Sequence, residues 1–155
     1  MNLNSLPTIS DKIILADIYP PFKALEDQNG APEDSQRVWV IVRQASEEDH
    51  RNRANLTARR EAAYTLNEAG NLTSASEAVT ENVLERVMLE AFYTLVDVGN
   101  LDRDGQPVFP TLPAKKMKRG EFEKIWGSLP LPLCEAIHKA VRSMNPDWDW
   151  ERGKA

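Results

Sequence analysis

The chain of 155 residues has little with which to build a disulfide, a membrane span or a phosphate-binding surface. It holds one cysteine, Cys134. A single thiol makes no internal disulfide, so the fold does not depend on an oxidising compartment. The longest apolar runs, Val38–Val42 and Ile13–Ala16, fall far short of the ~20 residues that span a bilayer. Met1–Ile9 has neither a basic start nor an apolar core of signal-peptide length. These absences lead us to expect an intracellular protein, in which the Asn-x-Thr sites at Asn55 and Asn71 accept no sugar. The formal net charge of -5 argues against a nucleic-acid partner, because neutralising phosphates takes clustered Lys and Arg. There is no Gly-rich phosphate loop, no Gly-x-Ser-x-Gly and no His-Glu-x-x-His, so no catalytic or cofactor-binding residues and no metal site are assigned.

What is present suits one globular domain: 41% hydrophobic and 28% charged residues, enough chain to bury a core. Residues 1–36 read as a loosely ordered arm or linker, broken by Pro20-Pro21 and by Asn29-Gly30 before Pro32. Ile13–Leu15 fits a short strand or a single helical turn. Arg37–Arg43, β-branched and aromatic between flanking charges, reads as the clearest strand, with Lys12–Ala16 or Pro107–Phe109 as its partner. Ser46-Glu47-Glu48-Asp49 resembles a capping box and opens a charged helix expected to reach Ala69, where Gly70 stops it. Its cations, including Arg51, Arg53, Arg59 and Arg60, are balanced by neighbouring acids, as on a solvated face.

A second helix, capped by Ser76, carries Val79, Val83, Leu84, Val87, Met88, Ala91, Phe92, Leu95 and Val96 at helical spacing. That wide apolar face is expected at the centre of the core, and the short link to the preceding helix predicts an antiparallel hairpin. A loop follows over Gly99–Pro113. A short helix over Glu121–Ser128 turns Phe122, Ile125 and Trp126 inward. A final helix, with Pro132 in its first turn, runs to about Met144 with Leu133, Ile137 and Val141 on one face. The expected fold class is mainly α with a small β element: a helical hairpin and a C-terminal pair of short helices packed on a short strand or hairpin. Residues 37–146 form the domain and residues 147–155 a tryptophan-bearing tail.

Three constellations bear on chemistry. Asn100-x-Asp102-x-Asp104-Gly105 matches the first half of a calcium-binding loop. Thr111 stands where the closing carboxylate belongs, and three prolines block an exit helix, which favours an ordinary turn. Cys134 and His138 share a helical face, as a metal pair or a nucleophile–base pair would, yet apolar neighbours favour core packing. The last two helices mimic a helix-turn-helix, but the second offers only Lys139 and Arg142 to a phosphate backbone. Tryptophan is favoured at interfaces, and Trp148 and Trp150 either fold back onto the domain or dock a partner. Together with Trp126, and with Met88 and Phe92 of the apolar helix, they are the candidate partner-binding residues.

The order of features resembles the small tail assembly chaperones of long-tailed bacteriophages and prophages. The similar pieces are a strand ending in Val42-Arg43-Gln44-Ala45-Ser46, a charged helix, an amphipathic helix and an Asp-x-Asp-Gly-x-Pro-x-Phe loop (Asp102–Phe109). Glu-Phe-Glu-Lys-Ile-Trp-x-x-Leu-Pro (Glu121–Pro130) and a closing Asn-Pro-Asp-Trp (Asn145–Trp148) complete them. The resemblance covers residues 37–150. It implies a non-enzymatic protein of the host cytoplasm, without a cofactor, that binds the tape measure protein, keeps it soluble and recruits tail tube protein during tail morphogenesis. A homo-oligomer is compatible with that role. The alternatives are a structural virion component, such as a head–tail connector or tail completion protein, and a small helix-turn-helix DNA-binding regulator.

Overall fold

The structure, a computed structural model, describes residue 2, residues 9–55 and residues 72–148. Strand β1 (Ser10–Ile14) runs into a one-turn helix α1 (Leu15–Ile18) and then helix α2 (Pro20–Gln28), whose first turn accommodates both prolines. A 3-10 turn at Asp34–Gln36 leads to β2 (Trp39–Arg43). Helix α3 begins at 47 and is described to 55. Helix α4 (Leu72–Thr94) passes directly into β3 (Leu95–Gly99). A small hairpin, β4 (Asp102–Arg103) and β5 (Gln106–Pro107), is followed by helices α5 (Arg119–Gly127) and α6 (Leu131–Met144). The expectation of a mainly α fold with a small β element holds. The link between the two long helices, together with Arg59, Arg60 and Gly70, lies outside the described residues, as does Trp150.

The strands form an antiparallel sheet in the order β1-β2-β3. Alternation along β2 places Val40 and Val42 on the inner face, where they are fully buried, opposite Ile13 of β1 and Val98 of β3. Trp39 lies on the other face, its ring flat over Gly99: a Cβ there would sit 2.0 Å from the indole. Lys12 adds its ammonium 4.4 Å from the centre of that ring.

Residues 10–36 correct the expectation of a loose arm. β1 supplies the partner strand of β2, and Leu15 and Phe22 are buried in the core. Arg37 then fastens α2 to the start of β2. Its guanidinium holds Glu26 at 2.6 Å and Asp27 at 3.1 Å, while the second Glu26 oxygen accepts the Val38 N–H at 3.0 Å. Lys23 and Arg37 hold the Asp27 carboxyl below the usual carboxylate range, and the same acids raise Arg37. Sequence periodicity does not reveal such a latch, because its members are 10 to 12 residues apart and polar.

The apolar helix expected to open at Ser76 and carry Val79 to Val96 is also revised. It is already helical at Leu72, so Ser76 lies within it, and it ends at Thr94, whose hydroxyl donates to the Glu90 carbonyl at 2.7 Å. Leu95–Gly99 extends into a strand because the open edge of β2 offers it a ladder, with Leu95 opposite Val42 and Val98 opposite Val40, and pairing overrides helical spacing. Pro107, expected as a strand partner of β2, instead pairs with Asp102. The centre of the molecule is α6 rather than α4. It rests on the sheet and meets α1, α2 and α4, so Leu133, Ala136, Ile137, Ala140 and Val141 are all buried. Asn145 stitches its end to β2: its side-chain oxygen accepts the Ala45 N–H at 2.7 Å and its amide donates to the Arg43 carbonyl at 3.2 Å.

The capping box is real. Asp49 accepts the Ser46 N–H at 2.8 Å and Ser46 Oγ accepts the Asp49 N–H at 3.2 Å. The Asp102–Phe109 loop is a tight hairpin in which Asp104 (φ 53°) and Gly105 (φ 78°) occupy the left-handed positions of a primed turn. Asn100 donates its side-chain amide to the carbonyls of Ser35 and Arg37, which ties the start of this loop to the segment before β2.

A candidate partner-binding groove

α5 and α6 are joined by Ser128–Pro130, and this short link holds Trp126 against the start of α6. The Cys134 thiol lies 3.7 Å from the Trp126 carbonyl oxygen. Phe122 stacks on Trp126 at 5.8 Å between ring centres and meets Phe92 of α4 edge-on at 5.4 Å. This aromatic cluster fixes α4 and α5 beside α6 but leaves a groove of about 730 Å³ beside it. Val87 and Leu84 of α4 line one wall and Leu131, Cys134, Glu135, His138 and Arg142 of α6 the other, with Trp126 and Leu129 between them. Tyr19, at the junction of α1 and α2, closes one side. Its hydroxyl donates to Glu135 Oε2, and that bond raises the phenol above its ordinary pKa.

The groove is apolar where it is most open. Leu84 is 59% exposed and Leu131 62% exposed. They are two of the three large hydrophobic residues left exposed among the described residues, and they flank the same groove. Paired exposed leucines on a concave apolar surface are what a docking site for another chain looks like. Leu131 stands at the first position of α6, off the inward stripe of Leu133, Ile137 and Val141. That displacement was a signal available in the sequence. Leu84 gave none, since periodicity alone places it with Val87 and Met88.

Behind the groove wall lies a buried polar network. Glu90 of α4, 2% exposed, receives His138 Nε2 at 2.6 Å on one oxygen and Arg53 Nε of α3 at 2.6 Å on the other. Arg53 also lies 5.5 Å from the centre of the Trp148 ring. The Trp148 indole N–H donates to His50 Nδ1 at 2.9 Å. Both histidines of the chain are therefore committed to holding α3, α4, α6 and the 3-10 turn at Pro146–Trp148 together. The sequence signal for Glu90 was a lone acid inside the apolar run from Val87 to Leu95.

The site residues expected from sequence divide accordingly. Trp126 forms the groove floor. Met88 is buried, Phe92 is partly buried and packs on Phe122, and neither lines the groove. Trp148 is corrected outright: it folds back, is 1% exposed, and presents no surface to a partner. Cys134 and His138 share a face but do not act as a pair. The thiol, pushed up to about 11 by burial, points to a backbone carbonyl, and the imidazole is taken by Glu90. No group of three or more His, Cys, Asp or Glu that could hold a metal is gathered among the described residues. No helix there is long and apolar enough to cross a membrane. α6 packs on the sheet and on three helices, and its exposed positions include Leu131, Glu135 and Lys139.

The chain matches no protein-family model, and neither a curated protein nor a solved structure matches it.

Proposed function

We propose that this protein is a non-enzymatic assembly chaperone of the kind that long-tailed bacteriophages use in the host cytoplasm. It docks an apolar segment of the tape measure protein, keeps that chain soluble and helps recruit tail tube subunits. The order of sequence features supports the family reading. The observation that carries the docking role is the groove between α4 and α6, with Leu84 and Leu131 exposed on its rims above Trp126. A holding protein needs an apolar receptor surface on an otherwise charged, soluble body, and the net charge of -5 supplies the second part.

Co-expression with the tape measure protein of the same phage tests the reading. Wild-type protein should co-purify with the tape measure protein and keep it in the soluble fraction. The Leu84→Asp/Leu131→Asp double variant should lose it while unfolding within ~0.5 kcal/mol of wild type, since both side chains are already solvated. Capture that survives the double substitution removes the groove from the function. Recovery of the chain at stoichiometric level in purified particles would make it a structural virion component instead.

A further inference from the structure

We infer that the occupant of the groove is a single amphipathic helix of about three turns carrying a basic side chain opposite Glu135. This inference rests on the docking role proposed above and adds the chemistry of the docked segment.

The walls decide the secondary structure of the guest. They are flanks of α4 and α6, whose backbone groups pair inside their own helices, joined by the last turn of α5 and by Leu129, and none of them is a strand edge. An extended peptide laid there finds no ladder and buries unpaired backbone groups, each costly. A helix arrives with those groups already paired and offers only side chains. The length follows from the lining. Leu131, Cys134, Glu135, His138 and Arg142 recur at three- and four-residue intervals along α6, a stretch of about 16 Å at the helical rise. A guest of three turns matches that stretch and can set side chains at the same intervals against Leu131, Trp126 and Leu84.

The rim decides the charge. Among the ionisable residues lining the groove, Glu135 is exposed, Tyr19 and Arg142 are half-buried, and Cys134 and His138 are buried. His138 is committed to Glu90, and Arg142, half-buried two turns along α6 from Glu135, acts through its charge on the Tyr19 hydroxyl. Lys139, one turn beyond Glu135, places its ammonium 5.9 Å from the centre of the Tyr19 ring. The charge a guest meets first is thus the Glu135 carboxylate, held on the rim by the Tyr19 hydroxyl. A lysine or arginine on the flank of the guest helix can pair with it while the leucine row fills the apolar end.

The test uses the full chain and two dye-labelled synthetic helices of about fourteen residues, a length that helix-favouring residues must support. Both carry leucines three and four residues apart, and they differ only in a flanking lysine or glutamate. Fluorescence anisotropy should show the lysine peptide binding about fivefold more tightly, the size of a rim ion pair. Glu135→Lys should erase that preference. Asp102→Lys, an equal charge change on the distant hairpin, should retain it, which separates local pairing from general attraction to an acidic protein. Leu131→Asp should abolish binding of both peptides. Equal binding of the two peptides, a preference that survives Glu135→Lys, or no binding by either would overturn the inference. So would concentration-dependent self-association lost in Leu131→Asp, which would make a second copy the occupant. If the tape measure protein is captured but the peptides show no preference, only this inference fails. If the peptides behave as stated but the tape measure protein is not captured, the chaperone reading fails alone.

Discussion

Single side chains in this protein are decided by what they are allowed to pair with. Glu90 is the clearest example, a buried carboxylate that accepts from both Arg53 and His138. Glu90→Leu keeps approximate volume but removes the buried acceptor shared by His138 and Arg53. Breaking a buried pair from one side costs about 3–5 kcal/mol, and urea unfolding should show a loss of that size. A loss below about 1 kcal/mol would mean that water already reaches the network. Cys134 gives a pH prediction. Burial raises its thiol from 9.0 to about 11, so the folded state holds its proton more tightly than the unfolded chain. The stability linked to that proton is complete below about pH 9 and is lost as the pH rises towards 11. Cys134→Ala should flatten the decline over that interval relative to wild type, as read by denaturant midpoints. In the native protein at pH 8 the thiol should react with a disulfide reagent far more slowly than after unfolding.

At the scale of elements, the end of α4 shows local pattern yielding to tertiary pairing. Leu95 and Val96 continue the helical spacing of Val87–Phe92, yet the chain turns into β3 because β2 has an open edge there. The strand ends at Gly99, opposite Trp39, and the missing Cβ there makes room for the Trp39 ring. Gly99→Ala would bring a methyl to 2.0 Å from the indole, so the ring must swing off the sheet. Crowding of this kind costs about 1–3 kcal/mol. The expected signature is a lower melting temperature together with a red-shifted, more solvated tryptophan emission. Trp39→Ala/Gly99→Ala should recover part of the loss that Gly99→Ala causes, relative to Trp39→Ala alone, because the two sites are coupled.

The whole molecule is held by joints that bring the first quarter of the chain to the rest: β1 on β2, Leu15 and Phe22 in the core, and Glu26 on Arg37 and Val38. Removing residues 1–36 exposes one edge of β2 and the α6 face that α1 and α2 cover. The truncated chain should show no cooperative thermal transition, and its amide spectrum should collapse to unfolded dispersion. A well-dispersed spectrum would return those residues to the status of an appended arm. The same joints position the groove, since Tyr19 closes its side.

Much was legible from residues alone where the cause is local. The strand at Trp39–Arg43, the Ser46–Asp49 cap, the Asp104-Gly105 turn and the helix after Pro130 all follow from side chains acting on their own backbone within a few residues. What required the tertiary structure were decisions between distant groups. The inward turn of Trp148 depends on His50, nearly a hundred residues away. The end of α4 depends on β2. The groove depends on Leu84 and Leu131 being left uncovered. Helical spacing sets Leu131 off the inward stripe, but spacing says which residues share a face and not whether another element arrives to bury it. Hydrophobic pattern therefore determined the elements, and packing among them determined which apolar surface remained free to bind.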